Sequence, residues 1–164
     1  MPSFDVTTGV DMQEVDNALN QVRKELANRY DFKGAKWEID FQRKEGRLVL
    51  AAEDGTRLES IWDLLREKMI RRGVSARNLQ AGTILDASLG TVRQEVTIAQ
   101  GIPIERAKEI VRAIKESGIK KVQASIQADA VRVSGGKRDE LQSCIALLKK
   151  GDFGVDLKFG NFRD

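Results

Sequence analysis

Apolar residues recur along this chain at two spacings, three to four residues and two, and the switches between them mark out its elements. Met12, Val15, Leu19, Val22 and Leu26 step by three and four, which predicts an amphipathic helix. Asp11 and Glu14 stand three apart at its start, as in a capping box. Trp37, Ile39 and Phe41 then alternate with Glu38, Asp40 and Gln42. Gly46 turns the chain, and residues 48–52 read as the return strand of a hairpin. Leu58, Ile61, Trp62, Leu65 and Met69 predict a second helix, with Thr56 and Glu59 as its capping box and Gly73 at its end. Short extended structure is expected between Asn78 and Ala87.

The same order then returns. Val92, Val96 and Ile98 suggest a strand, and Pro103 stands where a proline can open a helix, at its first position. Ala107, Ile110, Val111 and Ile114 stripe that helix, and Gly118 caps it. Val122, Ala124 and Ile126 predict a strand that turns near Asp129 into a return strand through Val131 and Val133. Leu141, Cys144, Ile145 and Leu148 stripe a fourth helix ended by Gly151, and Val155, Leu157 and Phe159 alternate in a last strand.

Each half thus reads β-α-β-β-α-β. The fold class expected is α+β: two ferredoxin-like domains, residues 1–88 and 89–164, each an antiparallel sheet with helices on one face. Two open sheets side by side have free edges, and a swap or a pairing of strands between them would cover those edges.

Composition narrows the function classes. Of 164 residues, 41% are apolar, enough for a core, and 32% are charged with the two signs interleaved. A net charge of +3 permits an anionic partner without demanding one. The chain has no histidine and one cysteine, Cys144, so internal disulfides and Cys/His zinc sites are excluded by count. Cys144 falls on an apolar helical stripe and reads as a small buried hydrophobe rather than a nucleophile. The segment MPSFDVTTGVD lacks the basic and apolar regions of a signal peptide, and no apolar run approaches the roughly 18 residues of a membrane span. A cytoplasmic protein with no membrane association is expected.

Four stretches carry candidate chemistry. In VRVSGGKRDELQ, Val131 to Gln142, a strand runs into two glycines, a basic pair and a helix start. A P-loop would need glycine where Val131 stands and a hydroxyl where Arg138 stands, so an NTPase reading fails at two positions. A looser anion site survives: helix-end amides with Lys137 and Arg138 beside them. The plain alternative is a turn in which Gly135 and Gly136 supply positive φ. In RYDFKGAK, Arg29 and Lys33 are interleaved with Tyr30 and Phe32, the ring-plus-cation chemistry that a base and a phosphate require. The plain alternative has Tyr30 closing the first helix onto the core and Phe32 anchoring the loop. In the ending KFGNFRD, Asn161, Phe162 and Arg163 form a polar-aromatic patch or a fraying tail. In REKMIRRG, Arg66, Lys68, Arg71 and Arg72 read as a solvated helix face. The strands RLVLAA and AVRVSG lack the stacking aromatics of RNA-recognition motifs, which share this element order. No pair of carboxylates or nucleophile motif stands out as catalytic.

The start MPSFDV, the helix ending ANRYDFKG, the AQGI at residues 99–102, the stretch KKVQASIQADAVRVSGGKRDELQ and the ending FGNFRD together resemble the YajQ family of bacterial nucleotide-binding proteins. The likeness runs from Pro2 to Asp164. Tyr30 stands where the family often has phenylalanine, and Gly136 where serine or another small residue occurs. The resemblance implies two ferredoxin-like domains with exchanged N-terminal strands, and neither enzymatic activity nor a cofactor. It implies a nucleotide ligand, cyclic di-GMP or GTP-like, or RNA, and a transcription-regulator partner. Chemistry then selects the contacts. Arg29, Lys33, Lys137, Arg138 and Arg163 would pair with phosphate, Phe32 and Phe162 would stack on a purine, and Asn161 would read a base or ribose edge. The alternatives are RNA or tRNA held mainly through phosphates, and a protein-interaction module.

Overall fold

The computed structural model describes all residues from Met1 to Asp164. The chain forms two compact units, Val10–Ile98 and Met1–Gly9 with Ala99–Asp164.

The unit Met1–Gly9 with Ala99–Asp164 contains β1 (Ser3–Thr7), α3 (Ile104–Glu116), β7 (Val122–Gln127), β8 (Ala130–Gly135), α4 (Arg138–Lys150) and β9 (Lys158–Arg163). The unit Val10–Ile98 contains α1 (Met12–Asn28), β2 (Trp37–Gln42), β3 (Arg47–Ala52), α2 (Gly55–Arg71), β4 (Leu79–Ala81), β5 (Leu85–Asp86) and β6 (Val92–Ile98). In the latter the sheet order is β2-β3-β6-β4, with β5 also paired to β6; in the former it is β7-β8-β1-β9. Every pairing is antiparallel. The first strand of each half therefore lies in the sheet of the other: β1 runs between β8 and β9, and β6 between β3 and β4. This is the strand exchange that the resemblance implied and the free-edge argument allowed.

Alternation along β1 divides its side chains between two faces. Phe4 and Val6 are fully buried with Val131 and Val133 of β8 under α3 and α4. Ser3, Asp5 and Thr7 point to the opposite, polar face. In the other unit Leu48, Leu50 and Val96 of the sheet are buried against Val15, Leu19 and Val22 of α1 and Leu58, Ile61 and Leu65 of α2.

Several helix ends differ from the sequence reading. Asp11 caps α1, accepting from the Gln13 amide at 3.0 Å, but Glu14 does not reach back; its carboxylate takes the Asn17 side-chain amide at 2.9 Å. Only half of that capping box forms. The box expected at Thr56 and Glu59 does not form. Asp54 caps α2 from two residues earlier, accepting from the Arg57 amide at 2.8 Å, and this leaves Thr56 inside the first turn. Pro103 is the N-cap of α3, one residue outside the helix. The last strand is displaced as well: Val155 is buried but precedes it, and β9 runs from Lys158 to Arg163, so the ending is strand and not a fraying tail.

Candidate functional site

The local structure of Gly135–Arg138 changes both readings of that segment. The Gly135 amide donates to the Pro2 carbonyl at 3.0 Å, and the Gly136 amide to the Lys121 carbonyl at 3.2 Å. The glycine pair is therefore part of the sheet's hydrogen bonding and offers no free amides to an anion. Neither glycine has positive φ, so a left-handed turn does not explain them either. Gly135 is small because the helix returns close to it: a Cβ there would lie 3.0 Å from Leu141 Cδ2 and 3.4 Å from the Lys121 carbonyl.

That close return brings the first turn of α4 beside the ends of β1 and β9. Arg138, Leu141 and Gln142 stand at i, i+3 and i+4, one face of the helix. With Pro2 and Ser3 at the start of β1 and Phe162, Arg163 and Asp164 at the end of β9, they line a cleft of about 310 Å³. Arg138 is ion-paired to Asp164 across it. Arg163 makes no ion pair.

A β-bulge aims Phe162 into this cleft. Ser3 pairs with Arg163 while Asp5 pairs with Gly160, so β9 holds one residue more than β1 over that stretch. Asn161, at φ 53, absorbs the extra residue; asparagine tolerates this left-handed conformation better than most side chains. After the bulge Phe162 turns back to the helix side, where its ring meets that of Phe4 at 5.9 Å while 60% of the residue stays exposed. Asn161 points the other way and donates to Asp5 Oδ2 at 2.6 Å. Arg132 donates to Asp5 Oδ1 at 3.1 Å. These two hydrogen bonds, the one from Arg132 first, hold the Asp5 carboxyl below the usual carboxylate range.

The candidates thus separate. Arg138 and Phe162 come together at the cleft; Arg163 is on its lining, but as the register partner of Ser3 it shares the face of Asp5, and its charge helps to keep that carboxyl ionised. Lys137, the N-cap of α4, is exposed next to it, and its side chain makes no capping bond. Asn161 lies on the opposite sheet face, engaged by Asp5. Arg29, Phe32 and Lys33 belong to the other unit. There Arg29 makes a bidentate pair with Asp31, at 3.0 and 2.9 Å, and its guanidinium lies 5.4 Å over the Phe32 ring. Phe32 is 3% exposed and anchors the loop in the core, so its ring has no open face for a base. Tyr30, expected on the core in the plain reading, is 92% exposed. Residues Tyr30–Phe32 form a single 3₁₀ turn, and only its last residue returns to the core. Lys33 is exposed without an ion pair.

Pro2, Ser3, Leu141, Gln142 and Asp164 were absent from the sequence reading of the site. The helical spacing of Arg138, Leu141 and Gln142 was visible in the sequence. The pairing that sets residues 2–3 beside 162–164 was not. Cys144 is fully buried, and its thiol is pushed up by burial and, secondarily, by the Glu140 charge, which agrees with a packing role.

Residues 2–163 match the family described as nucleotide-binding protein YajQ-like. The chain is 53% identical over 163 residues to a nucleotide-binding protein of Geotalea uraniireducens, covering 99% of each chain. It is 51% identical over 164 residues to one of Magnetococcus marinus, covering both chains fully, and 48% over 161 residues to one of Heliobacterium modesticaldum, covering 98% of this chain and 96% of the relative.

Proposed function

We propose that this chain, which belongs to the YajQ-like family of nucleotide-binding proteins, holds its nucleotide in the cleft between α4 and the paired ends of β1 and β9. What carries the reading is the convergence of a guanidinium and an open aromatic face, Arg138 and Phe162, around one cavity, with Arg163 on its lining. Arginine matches phosphate with two parallel N–H donors, and a half-exposed ring backed by Phe4 is a fixed platform for a base. Gln142 adds an amide able to donate to and accept from a base or ribose edge. Lys137 contributes charge at the rim. Asn161 acts indirectly: tied to Asp5, it fixes the bulge that turns Phe162 into the cleft. Arg29, Phe32 and Lys33 lie on the other unit and are assigned no contact with this ligand.

The role is binding without chemistry on the ligand, and a loaded cleft would be the surface a transcription-regulator partner reads. The test is calorimetry at low salt with a guanine mononucleotide, GTP, cyclic di-GMP and a short RNA. Binding of at least one is expected. Arg138→Ala should weaken it by about tenfold or more, as loss of a charge-assisted hydrogen bond costs about 1.5–3 kcal/mol. Absence of heat with all four would overturn the reading.

A second reading, RNA held mainly through phosphates, is favoured by Lys121 and Lys137. Both are exposed, neither makes an ion pair, and the Lys121 side chain packs beside Gly136, so positive charge continues past the cleft. It predicts an RNA affinity that falls steeply with salt, with a slope set by the number of phosphates contacted; a single small-nucleotide site gives a shallow slope.

A further inference from the structure

We propose that β7, an edge strand of the sheet β7-β8-β1-β9, pairs antiparallel with β7 of a second copy of this chain around a two-fold axis at Ser125.

β7 lacks the protection that the other edges carry. Folded proteins blunt their edge strands with charge, bulges or shortness. Here β2 has Glu38 and Asp40, β4 and β5 hold three and two residues, and β9 has a bulge and ends on Lys158 and Arg163. β7 is VQASIQ, six residues with no charge, no proline and no bulge. None of its side chains is fully buried.

Main-chain geometry limits how a second strand can add. The Gly136 amide donates to the Lys121 carbonyl at 3.2 Å, so that carbonyl faces β8. Main-chain groups alternate sides along a strand, so those of Gln123, Ser125 and Gln127 also face β8. Those of Val122, Ala124 and Ile126 face the open edge, where no strand pairs with them. An antiparallel copy fits only where open-edge residues stand opposite one another. With Ser125 on the axis, Ala124 stands opposite Ile126 of the other copy, and the two exchange N–H···O bonds on each side of the axis.

The same register matches side chains. Gln123 stands opposite Gln127 of the other copy, and their amides can donate to and accept from each other. Ala124 and Ile126 extend the apolar row across the joint. Lys121 stands opposite Asp129 of the other copy; both are exposed, and neither is ion-paired within its own chain. The basic start of the strand, Lys120 and Lys121, thus meets the acidic turn at its end, on both sides of the axis. Moving the axis to Ala124 also satisfies the open-edge groups, but it sets Lys121 opposite Gln127 and Asp129 opposite the apolar Ile119. Charge favours the axis at Ser125. A second copy supplies this complement from its own sequence, whereas a foreign peptide would have to reproduce it.

The product is one continuous sheet, β9-β1-β8-β7 joined at β7 to its symmetry mate, with the cleft beside β9 left open in each copy. One edge strand per copy is a small contact, so the dimer is weak and forms at high concentration.

The experiment is sedimentation of the full chain at low salt. The weight-average mass should rise from 18.3 kDa toward twice that value across a series reaching about 1 mM. Ser125→Lys sets like charges face to face on the axis at an exposed position, and should hold the mass at that of the monomer with an unchanged thermal melt. Ser125→Cys should form a disulfide-linked dimer under mild oxidation, because residues facing each other in a non-hydrogen-bonded pair have Cα atoms about 4.5 Å apart, within disulfide reach. Gln123→Cys, which faces Gln127 instead of itself, should not, and the native Cys144 is buried. Monomer mass at every concentration would overturn the pairing. A dimer that persists in Ser125→Lys would move the interface off this edge, and equal cross-linking of the two cysteine variants would rule out the axis at Ser125.

Discussion

Asp5 sits at the centre of the polar face of its sheet, and two hydrogen bonds favour its charged form. Its folded pKa is lowered from an ordinary 3.8, so the folded state binds fewer protons than the unfolded chain as pH falls toward and below that value. The stability from Asp5 is therefore fully present above about pH 4–5 and lost as pH drops through the lowered folded value. Asp5→Asn should cost about 1–2 kcal/mol at neutral pH, since it weakens two polar contacts and leaves Arg132 unpaired. It should also flatten the acid limb of a plot of stability against pH; an unchanged acid limb would show that Asp5 is not held as described. Cys144 gives a second residue-level expectation. Buried, with its thiol pushed up, it should react with thiol reagents only as fast as its unit opens, and labelling at neutral pH should accelerate with denaturant. The residue types at the cleft were legible in the sequence: cations and a ring in the endings GGKR and FGNFRD. What hid their convergence was distance along the chain, because Ser3 and Arg163 meet through strand pairing that no local pattern encodes.

Helices showed themselves best, because their buried stripes repeat every three or four residues whatever surrounds them. The stripe of α2 holds at Leu58, Ile61, Leu65 and Met69, with Leu64 buried as well and Trp62 only partly so, and its end is a Schellman motif: the Val74 amide donates to the Met69 carbonyl and the Gly73 amide to that of Ile70, both at 3.0 Å. Gly73 is at φ 86, a conformation that costs an L-residue roughly 1–2 kcal/mol, and Val74 and Met69 are buried beside it. Gly73→Ala should therefore destabilise the unit Val10–Ile98 by about 1 kcal/mol, read as a lower midpoint in urea; no shift would mean that the turn relaxes freely. The strand β9 was harder to read. Val155, Leu157 and Phe159 alternate, but the bulge at Asn161 breaks the period. Phe159 and Phe162, three apart, both bring their rings to Phe4, at 6.1 and 5.9 Å. A period of two cannot put residues three apart on one face, so the alternation in the sequence stops at Phe159 and points to a strand earlier than β9.

At the scale of the whole molecule, the strand exchange makes the order of elements a poor guide to where the chain can be cut. A cut between residues 88 and 89 follows the repeat, yet it takes β6 from between β3 and β4 and leaves β1 on the wrong fragment, away from β8 and β9. Each piece would lose a strand hydrogen-bonded on both sides, together with the buried Val96 and Ile98 in one and Phe4 and Val6 in the other. The compact units predict a different outcome. Residues 10–98 carry every strand and helix of their sheet in one continuous segment and should fold alone, with a cooperative thermal melt followed by circular dichroism. Residues 99–164 alone should not, because their sheet would open between β8 and β9 and expose both edges. Fusing residues 1–9 through a flexible linker after residue 164 should restore a cooperative transition, since β1 pairs antiparallel with both neighbours and can be supplied from either end of the fragment. A cooperative melt from isolated 99–164 would show that α3, α4 and three strands make a sufficient core without Phe4 and Val6, and that the exchanged strand only decorates it.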